Sequence, residues 1–493
     1  MTVTVIFLIA SFICCIVSTF RWYRVAQREH YQPGRTSLFA RRWWWSTSLN
    51  RALLGLALIA LVACVVGSYF GVVTLAICLG SPIGLGLRGR TSKLIWTRRM
   101  KTVALVSFIV VGGLESGIGL FSPHDSGRIV TILSCAVTLL MPVWIDISLA
   151  LDQPIEEFIA RKYVKSARGK FEAIRPRVIA ITGSYGKTST KNYLSHILST
   201  KFAVFATPAS FNNSLGLARA VNEGLGLGTE IFIAEMGTYG PGEIRKMCRW
   251  IVPDIAVITA IGPVHLERMG SEDVILKAKS EICELASSIV LNGDDSRLRA
   301  LAQTLLENKR NVILASEQML DGLGLPKSVS KTNAACAFSV AKLLEVDEET
   351  ISKMLETLPE VAHRRTIYTG ETGITIIDDT YNSNPTGARQ AVELLAKLGQ
   401  VGCRRVVVTP GIVELGNRQF SENVEFARYC LARDTELMIV QRTNRKALSM
   451  GWQQGSKPSV IVDSRQQAVE WVRNNLVAGD VVLYENDLPD HFP

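Results

Sequence analysis

Long apolar runs in the first third of the chain restrict its fold more than any other feature. A membrane-spanning helix needs roughly 20 apolar residues, and it satisfies its backbone hydrogen bonds internally, which lipid requires. One run, residues 52–87, is too long for a single crossing, and we divide it near its middle into 52–68 and 71–87. The pattern therefore predicts about five transmembrane helices within residues 1–151. The apolar runs span residues 3–20, 52–87, 102–121 and 129–151.

The basic charge of the chain is confined to this apolar region. The formal net charge is +10, and residues 1–151 alone hold 14 Lys or Arg against 4 Asp or Glu. The remaining residues are balanced in charge, so no basic stripe is left to follow a phosphate backbone, and we expect no nucleic-acid partner. Basic residues beside apolar runs instead favour the lipid bilayer as the partner.

The basic residues also predict the orientation in the membrane, because Lys and Arg accumulate on the cytoplasmic side. They cluster in segments 21–51 and 88–101 and again after residue 151. The charged residues of segment 122–128 are only Asp125 and Arg128. Five spans with the N-terminus outside place every basic segment inside. We therefore expect a multi-pass protein of the cell membrane whose large C-terminal part is cytoplasmic.

The sequence ITGSYGKTSTKNYL, which starts at residue 181, is typical of a phosphate-binding loop between a strand and a helix. Its glycines allow the backbone to close around phosphates, Lys187 reaches the β- and γ-phosphates of ATP, and Thr188 holds Mg²⁺. The alternative, an ordinary turn, does not account for Lys-Thr-Ser directly after glycine. The loop residues expected to bind the nucleotide are Gly183, Ser184, Gly186, Lys187, Thr188 and Ser189.

Further segments follow this short Gly-x-x-Gly-Lys-Thr-Ser loop in a fixed order. Together they resemble the Mur ligases, the ATP-dependent amide ligases of peptidoglycan synthesis, and within that family the MurF-type branch that adds D-alanyl-D-alanine. The resemblance covers about residues 172–484, and the apolar spans stand where the family carries its UDP-binding domain. The segments are SFNNSLG (210–216), IFIAEMGTYGPGEI (231–244), AVITAIGPVHLERMGSEDVILKAKSEI (256–282), VLNGDD (290–295) and IIDDTYNSNPTGA (376–388).

The resemblance implies a multi-pass α-helical membrane region followed by two α/β domains. We place the membrane region at residues 1–151 and a basic cytoplasmic linker at 152–175. A central ATP-binding domain with the phosphate loop follows at 176–360, and a C-terminal Rossmann-like domain at 361–493. Strands and helices that alternate beyond a boundary near residue 360 favour the same division on their own.

The resemblance also implies two Mg²⁺ sites. Thr188 and Glu235 hold one ion with the ATP phosphates, and His265 with a carbamylated Lys279 holds the second, since a carbamate supplies the oxygen ligands that Mg²⁺ prefers. Taken alone, Glu235 equally fits a strand end, His265 a surface histidine and Lys279 a solvent-facing helix position. Their order behind the phosphate loop favours the metal sites. The residues implied to be catalytic are Lys187, His265, Lys279 and Arg364.

Residues of the C-terminal domain are implied to complete the nucleotide site when the two domains close. Arg364 reaches the γ-phosphate, and Asp379 with Tyr381 closes over the nucleotide; the alternatives are a surface charge and a strand-end cap. Asn292 and Asn333 contact adenine, although an asparagine at such a place also fits a plain turn. The residues implied to bind the acceptor or the amine are Asn212, Asn213, Asn382 and Asn384.

Three segments depart from the family pattern. The family's His-Asn adenine segment reads Thr332-Asn333 here, and TPGIVELG (409–416) begins differently from its MurF-type counterpart. The end that reads Lys-Gly-Ser in the family is YEND (484–487). Because this end helps to choose the amine, an acid in place of a cation argues against copying the D-alanyl-D-alanine specificity.

These patterns predict a membrane-embedded ligase that uses ATP to form an amide bond through an acyl phosphate. The acceptor is expected to be a carboxyl-bearing cell-envelope precursor linked to the membrane, and the amine an amino acid or peptide. Within the same class, the alternative is a capsule or polyglutamate type of ligase. Outside it, the alternative is a nucleotide-gated scaffold or transporter, since Glu115 and Asp146 place acids within apolar runs.

Overall fold

The computed structural model describes most of the chain, and the described residues form two compact units. One unit extends to Ala160, and the other runs from Arg161 to Asp487. The described residues are 2–85, 94–121, 127–208, 211–264, 266–326, 328–359, 364–370, 372–381, 384–399, 402–453, 455 and 458–488.

The first unit consists of α-helices, most of which lie within the apolar runs of the sequence. One further helix, Arg35–Ser46, lies in the basic segment 21–51. Its buried side chains include Trp22, Trp43 and Met100. Large apolar side chains also lie on the outside, with Ile59 exposed by 68% and Phe121 by 88%. Helices that are apolar on all sides are typical of an apolar surrounding. The helices between residues 2 and 174 are α1 (Thr2–Arg28), α2 (Arg35–Ser46), α3 (Ser48–Ala63), α4 (Phe70–Gly80), α5 (Arg98–Phe121), α6 (Gly127–Leu139) and α7 (Met141–Ile174).

The described helices give two to four candidate membrane spans, where the sequence predicted about five. By length and composition, Thr4–Arg28 and Arg98–Phe121 are each able to cross a membrane. The pairs α2 with α3 and α6 with α7 are bent by 110° and 67°, and each pair adds one span if it counts as a single crossing. The predicted span 71–87 contains only α4, whose 11 residues cover about 16 Å of a roughly 30 Å hydrocarbon core. Residues 86 and 87 lie outside the described residues.

Both acids within the apolar runs have hydrogen-bond partners inside the first unit. Glu115 accepts hydrogen bonds from Ser11 Oγ at 2.9 Å and Ser134 Oγ at 2.8 Å. Asp146 accepts from the backbone N–H groups of Thr36 at 3.1 Å and Ser37 at 2.8 Å, at the start of α2. Backbone N–H groups at a helix start need such an acceptor, so Asp146 has a structural role.

The second unit begins with a sheet of parallel strands whose two faces are both buried. The strands are β1 (Arg177–Thr182), β2 (Val204–Ala206), β3 (Ile231–Glu235), β4 (Ile255–Ile258), β5 (Ser288–Asn292) and β6 (Asn311–Ala315), in the order β2-β3-β1-β4-β5-β6. Within β1, Val178 and Ala180 join one buried cluster, whereas Ile179 and Ile181 join another. This alternation explains the nearly continuous apolar strands, because helices cover a parallel sheet on both sides.

The helices of this domain follow the strands along the chain. The end of α7 packs with them: Ala167 is fully buried with Val178, and the ring of Phe171 lies 6.1 Å from that of Phe232. The segment predicted as a linker is therefore helical, and its second half belongs to the domain core. The helices are α8 (Lys187–Leu198), α9 (Ser214–Gly224), α10 (Glu243–Cys248), α11 (Leu266–Met269), α12 (Glu272–Ser280), α13 (Ser296–Glu307), α14 (Lys331–Leu343) and α15 (Glu348–Glu356), with 3₁₀ turns at Glu281–Cys283 and Glu317–Leu320.

A second sheet forms the C-terminal α/β domain. Its strands are β7 (Thr366–Thr369), β8 (Thr375–Asp379), β9 (Arg405–Thr409), β10 (Glu436–Val440), β11 (Val460–Val462) and β12 (Val481–Glu485), in the order β11-β10-β9-β12-β8-β7. All neighbouring pairs are parallel except β7 with β8. The helices are α16 (Pro385–Leu398), α17 (Gln419–Leu431), α18 (Arg445–Trp452) and α19 (Arg465–Asn475), with a 3₁₀ turn at Gly416–Arg418.

Candidate active site

The phosphate loop leaves no space for side chains at its two glycines. A Cβ atom on Gly183 would lie 2.0 Å from Thr259 Oγ1, and one on Gly186 would lie 2.2 Å from Asn333 Oδ1. Gly186 also has φ +84°, which favours glycine at the start of α8. The loop backbone is therefore packed tightly between the segment after β4 and the start of α14.

Ser184 is hydrogen-bonded to the segment behind β4. Its hydroxyl donates to the Gly262 carbonyl at 3.1 Å and accepts from the Gly262 N–H at 3.0 Å. Its own N–H donates to the Ala260 carbonyl at 2.8 Å. The sequence predicted nucleotide binding for Ser184, and the structure shows that its side chain anchors the loop to the segment behind β4.

Two lysines converge on one carbonyl oxygen of the loop. Lys187 Nζ donates to the Gly183 carbonyl at 2.7 Å, and Lys279 Nζ donates to the same oxygen at 3.1 Å. Burial lowers the pKa of Lys187, and the charge of Arg364 adds to this effect against that of Glu235. Burial also holds the pKa of Lys279 well below its usual value, with a further contribution from the charge of Lys187. A neutral amine is the form that reacts with carbon dioxide, so this environment suits a carbamate.

Glu235 lies at the end of β3, and its carboxylate contacts three polar side chains. Its carboxylate accepts from Thr188 Oγ1 at 3.1 Å and from Asn212 Nδ2 at 3.2 Å, and it forms a buried ion pair with Lys191 at 3.0 Å. Burial on its own raises the pKa of Glu235, but the charges of Lys191 and Lys187 outweigh it and hold the pKa below the usual value. The Glu235 carboxylate thus lies beside the loop and next to the Thr188 hydroxyl. Both groups offer oxygen ligands, which Mg²⁺ prefers.

Lys191 was not predicted from the sequence as a site residue. It lies four residues after Lys187 on α8, and this spacing places both lysines on the same face of the helix. The four-residue spacing from Lys187 was the sequence feature that could have indicated Lys191 as a site residue. Its partner Glu235 lies on another element, so only the fold reveals the pair.

A cavity of about 570 Å³ opens beside the loop and has the size of a nucleotide site. Of the predicted nucleotide residues, it is lined by Gly186, Ser189, Asn292, Asn333, Arg364, Asp379 and Tyr381. The predicted substrate residue Asn384 also lines it. Lining residues that the sequence did not predict include Tyr185, Asp294, Asp295, Glu317, Arg365 and Thr386.

Several lining residues are already fixed by contacts. Asn292 Nδ2 donates to the Thr259 carbonyl at 3.0 Å, which ties the end of β5 to the end of β4. The guanidinium of Arg364 lies 5.1 Å from the centre of the Tyr381 ring. Burial raises the pKa of Asp379 to about 6, although the neighbouring arginines act in the opposite direction. The C-terminal domain therefore presents a cation and a weakly acidic carboxyl group to the cavity.

The remaining predicted residues divide into those with contacts and those outside the described residues. Asn212 contacts Glu235, whereas Asn213 caps α9 by accepting from the Gly216 N–H at 2.8 Å. Asn384 caps α16 in the same way through the Gly387 N–H at 2.9 Å. His265 and Asn382 are not among the described residues. Those that are described contain no group of three His, Cys, Asp or Glu side chains placed to hold a metal ion.

This fold and this site define an ATP-dependent ligase that forms C–N bonds. Residues 181–386 match the profile of the Mur ligase middle domain, and residues 363–484 match that of the Mur ligase glutamate ligase domain. Over these residues the chain belongs to the Mur ligase family.

Several similar proteins are named as MurF-type ligases. A UDP-N-acetylmuramoyl-tripeptide--D-alanyl-D-alanine ligase from Mycobacterium tuberculosis is 29% identical over 358 residues, which cover 62% of this chain and 69% of that protein. A protein of the same name from Bacillus subtilis is 28% identical over 275 residues, covering 51% and 59%. Among solved structures, MurF from Thermotoga maritima in complex with ADP has a TM-score of 0.58 at 24% identity, with 66% of this chain and 80% of that chain covered. MurF from Acinetobacter baumannii has a TM-score of 0.57 at 24% identity, covering 66% and 77%.

Proposed function

We propose that the chain is a MurF-type ligase that joins an amine to a carboxyl-bearing precursor of the cell envelope. The observation that carries this proposal is the cluster of Lys187, Thr188, Glu235 and Lys279 around the phosphate loop, beside a cavity of nucleotide size. The names of the relatives support peptidoglycan synthesis as the pathway and a muramoyl peptide as the acceptor.

The residues of the site suit the formation of an acyl phosphate. In this reaction the acceptor carboxylate attacks the γ-phosphate of ATP, ADP leaves, and the amine then attacks the acyl carbon and releases phosphate. Lys187 and Arg364 supply positive charge where two anions must approach each other. Asn212 lies next to Glu235 and orients its carboxylate through a 3.2 Å hydrogen bond.

The residues present fit a Mg²⁺ ion at Thr188 and Glu235, whose oxygens lie 3.1 Å apart. A bound Mg²⁺ neutralises charge on the ATP phosphates. We propose a second ion at His265 and a carbamylated Lys279. The Lys279 side chain is buried in the site. A carbamate on this side chain would offer two oxygens in place of the ammonium group.

A membrane-linked acceptor is the finer part of the proposal. It is supported by the two candidate spans, Thr4–Arg28 and Arg98–Phe121, and by the basic segments beside them. The catalytic domains are proposed to lie in the cytoplasm, where ATP is available. An acceptor attached to lipid would then reach the site from the membrane on which the enzyme is held.

A different amine is the specific alternative, and Glu485 favours it. This residue is fully buried at the end of β12, and its carboxylate accepts a hydrogen bond from the Thr409 hydroxyl. Burial raises the pKa of Glu485 to about 8. An acid thus occupies the place where the family resemblance implies a lysine, so the amine is proposed to differ from D-alanyl-D-alanine in its charge or size. A capsule or polyglutamate type of ligase falls within this alternative.

The test uses the purified full chain in detergent with ATP and Mg²⁺. We expect ADP release only when a carboxyl acceptor and an amine are both present, and we expect mass spectrometry to find the amide. UDP-linked and lipid-linked muramoyl peptides are compared as acceptors, and D-alanyl-D-alanine is compared with cationic and acidic amino acids. ADP release without any amide product contradicts the ligase proposal.

Substitution of the loop lysine gives the matching negative control. Lys187→Ala is expected to lower ATP turnover by roughly 100-fold or more, because it removes a cation that stabilises the developing charge. Membrane extraction and the helical circular dichroism signal should stay as in the wild type. Turnover at the wild-type rate in the purified variant would exclude this loop as the ATP site.

A further inference from the structure

The helix α2 (Arg35–Ser46) is held against the rest of the first unit by one of its faces. Its first turn is fixed by Asp146, which accepts hydrogen bonds from two backbone N–H groups of this turn. Trp43 Nε1 donates to the Ile83 carbonyl at 3.1 Å, and the side chains of Trp43 and Trp44 are both buried. The rotation of α2 about its own axis is therefore fixed, and its opposite face points outward.

The outward face of α2 combines arginines with large apolar side chains. Leu38 is exposed by 37% and Trp45 by 64%, and Arg41 and Arg42 are exposed between them. The spacing i, i+3, i+4 and i+7 places these four side chains in one stripe along the helix. The whole helix carries three arginines and no acidic residue, so the charge of this stripe is positive only.

The direction of α2 differs from that of the apolar helix that follows it. The two helices α2 and α3 are bent by 110° at their junction, so α2 lies nearly perpendicular to α3. After Arg51, α3 has no charged residue, and its exposed side chains include Leu56, Ile59 and Val62. Such a surface suits hydrocarbon, whereas arginine is among the most costly residues there. With α3 in the hydrocarbon, α2 lies along the boundary between lipid and water.

We propose that the outward face of α2 binds anionic phospholipids at the cytoplasmic surface of the membrane. This inference rests on the membrane location proposed above. A guanidinium group pairs with phosphate through two parallel hydrogen bonds. Tryptophan prefers the headgroup layer, because its ring is apolar and its N–H is polar. Arginine together with tryptophan and leucine is typical of helices that lie in this layer.

The charge of the outward face favours a lipid surface over a second copy of the chain. In a symmetric contact the same patch meets itself, so Arg41 and Arg42 would face the arginines of the other copy. The cytoplasmic leaflet carries anionic lipids, and the basic segment 21–51 is expected on that side of the membrane. Charge complementarity therefore selects the lipid headgroups as the partner.

Quenching of tryptophan fluorescence by brominated lipids tests the contact in the full-length protein. The protein is reconstituted into phosphatidylcholine vesicles that contain brominated phosphatidylglycerol or brominated phosphatidylcholine as the minor lipid. The chain has nine tryptophans, so each measurement is repeated with Trp45→Phe, and the difference between the two signals belongs to Trp45. At equal mole fraction, brominated phosphatidylglycerol is expected to quench this difference signal more strongly than brominated phosphatidylcholine.

Neutralisation of the two arginines should remove this lipid preference. In the double variant Arg41→Gln with Arg42→Gln, the preference for phosphatidylglycerol is expected to fall by about 5- to 30-fold, the range for one to two arginines near an anionic surface. Arg41→Lys with Arg42→Lys keeps both charges and should keep most of the preference. The helical circular dichroism signal should be the same in all these variants, because both side chains are exposed.

A matched control removes the same charge elsewhere. Lys342→Gln with Lys353→Gln neutralises two exposed lysines of the central domain and should leave the lipid preference unchanged. An equal loss in this control, or an unchanged preference in the glutamine variant of α2, overturns the proposal. Quenching of Trp45 by neither brominated lipid overturns it as well, because another protein or a second copy would then cover the face.

Carbonate extraction of cell membranes separates this inference from the membrane location on which it rests. If the wild type stays in the membrane pellet but Trp45 shows no lipid preference, the lipid-binding face is overturned and the membrane location stands. If the wild type is released without detergent but binds phosphatidylglycerol vesicles through Arg41 and Arg42, the face stands and the spans are refuted. Amide formation in detergent tests the ligase proposal independently, because no phospholipid is needed there.

Discussion

Glu235 depends on Lys191 as a buried partner, because each side chain is almost completely removed from water. The side chains of Lys191 and Glu235 are exposed by 3% and 2%. Removal of one partner from such a pair leaves a buried charge uncompensated, which is more damaging than loss of the attraction itself.

Lys191→Met should therefore both destabilise the protein and inactivate it. We expect a loss of about 3–5 kcal/mol in the free energy of unfolding, the range for breaking a buried pair. The control is Lys353→Met, whose pair with Glu349 has side chains 71% and 79% exposed. Such exposed pairs contribute about 0.5 kcal/mol or less. Denaturant unfolding measures both variants, and equal losses would contradict the importance of burial.

Lys279 distinguishes a carbamate from an ammonium group. Lys279→Ala should lose activity and recover part of it with added short-chain carboxylates, because these refill the position of the carbamate oxygens. Lys277→Ala, an exposed lysine on the same helix, is the matched control and should be tolerated. ATP turnover measured with and without acetate checks this. Loss without recovery would instead indicate a lysine that acts through its positive charge.

At the scale of elements, the phosphate loop depends on the absence of one side chain. Gly186 and Gly242 both precede a helix, with φ +84° and +91°, but a Cβ atom meets Asn333 only at Gly186. Both Gly→Ala changes should destabilise the protein by about 1–2 kcal/mol through the left-handed conformation. Only Gly186→Ala should also lose ADP binding, as measured by calorimetry. Equal ADP affinity in the two variants would show that the contact with Asn333 does not shape the site.

The elements also show how far sequence reasoning extends. The strand β3 with Glu235 at its end was predictable, because an apolar run stops directly before this residue. The strand β8 was predictable in the same way from the apolar pair before Asp378 and Asp379. The short strands β7 and β11 were not predicted, since four and three residues carry little pattern of their own. The contact of Lys191 with Glu235 joins residues that are far apart in the chain. No local pattern records it.

At the scale of the whole molecule, the number of membrane spans and the site of catalysis are linked. With cytoplasmic catalytic domains, five spans place the N-terminus outside, whereas two or four spans place it inside. The loop charges favour the first arrangement. The described helices provide two candidate spans, or up to four with the bent pairs.

Reporter fusions decide between these arrangements. Fusions after residue 95 and within the catalytic domains should report the cytoplasm, and a fusion near residue 125 should report the outside. An N-terminal tag on intact cells should be accessible to protease. An inaccessible tag with the other results unchanged would establish an even number of spans. A catalytic domain found outside would contradict both the orientation and the use of cytoplasmic ATP.

The strand order of the first α/β sheet has a consequence for how such enzymes diverge. From β1 the chain proceeds to β2 and β3 on one side and to β4, β5 and β6 on the other, so the phosphate loop and the segment after β4 meet where the direction of winding reverses. The phosphate loop therefore lies at the centre of this sheet, directly after the buried strand β1. The segment YEND (484–487) lies on the other domain, at the end of the inner strand β12, so a replacement there leaves the centre of the first sheet unchanged. Descent from a common ancestor thus preserves the reaction more faithfully than the identity of the molecules that are joined.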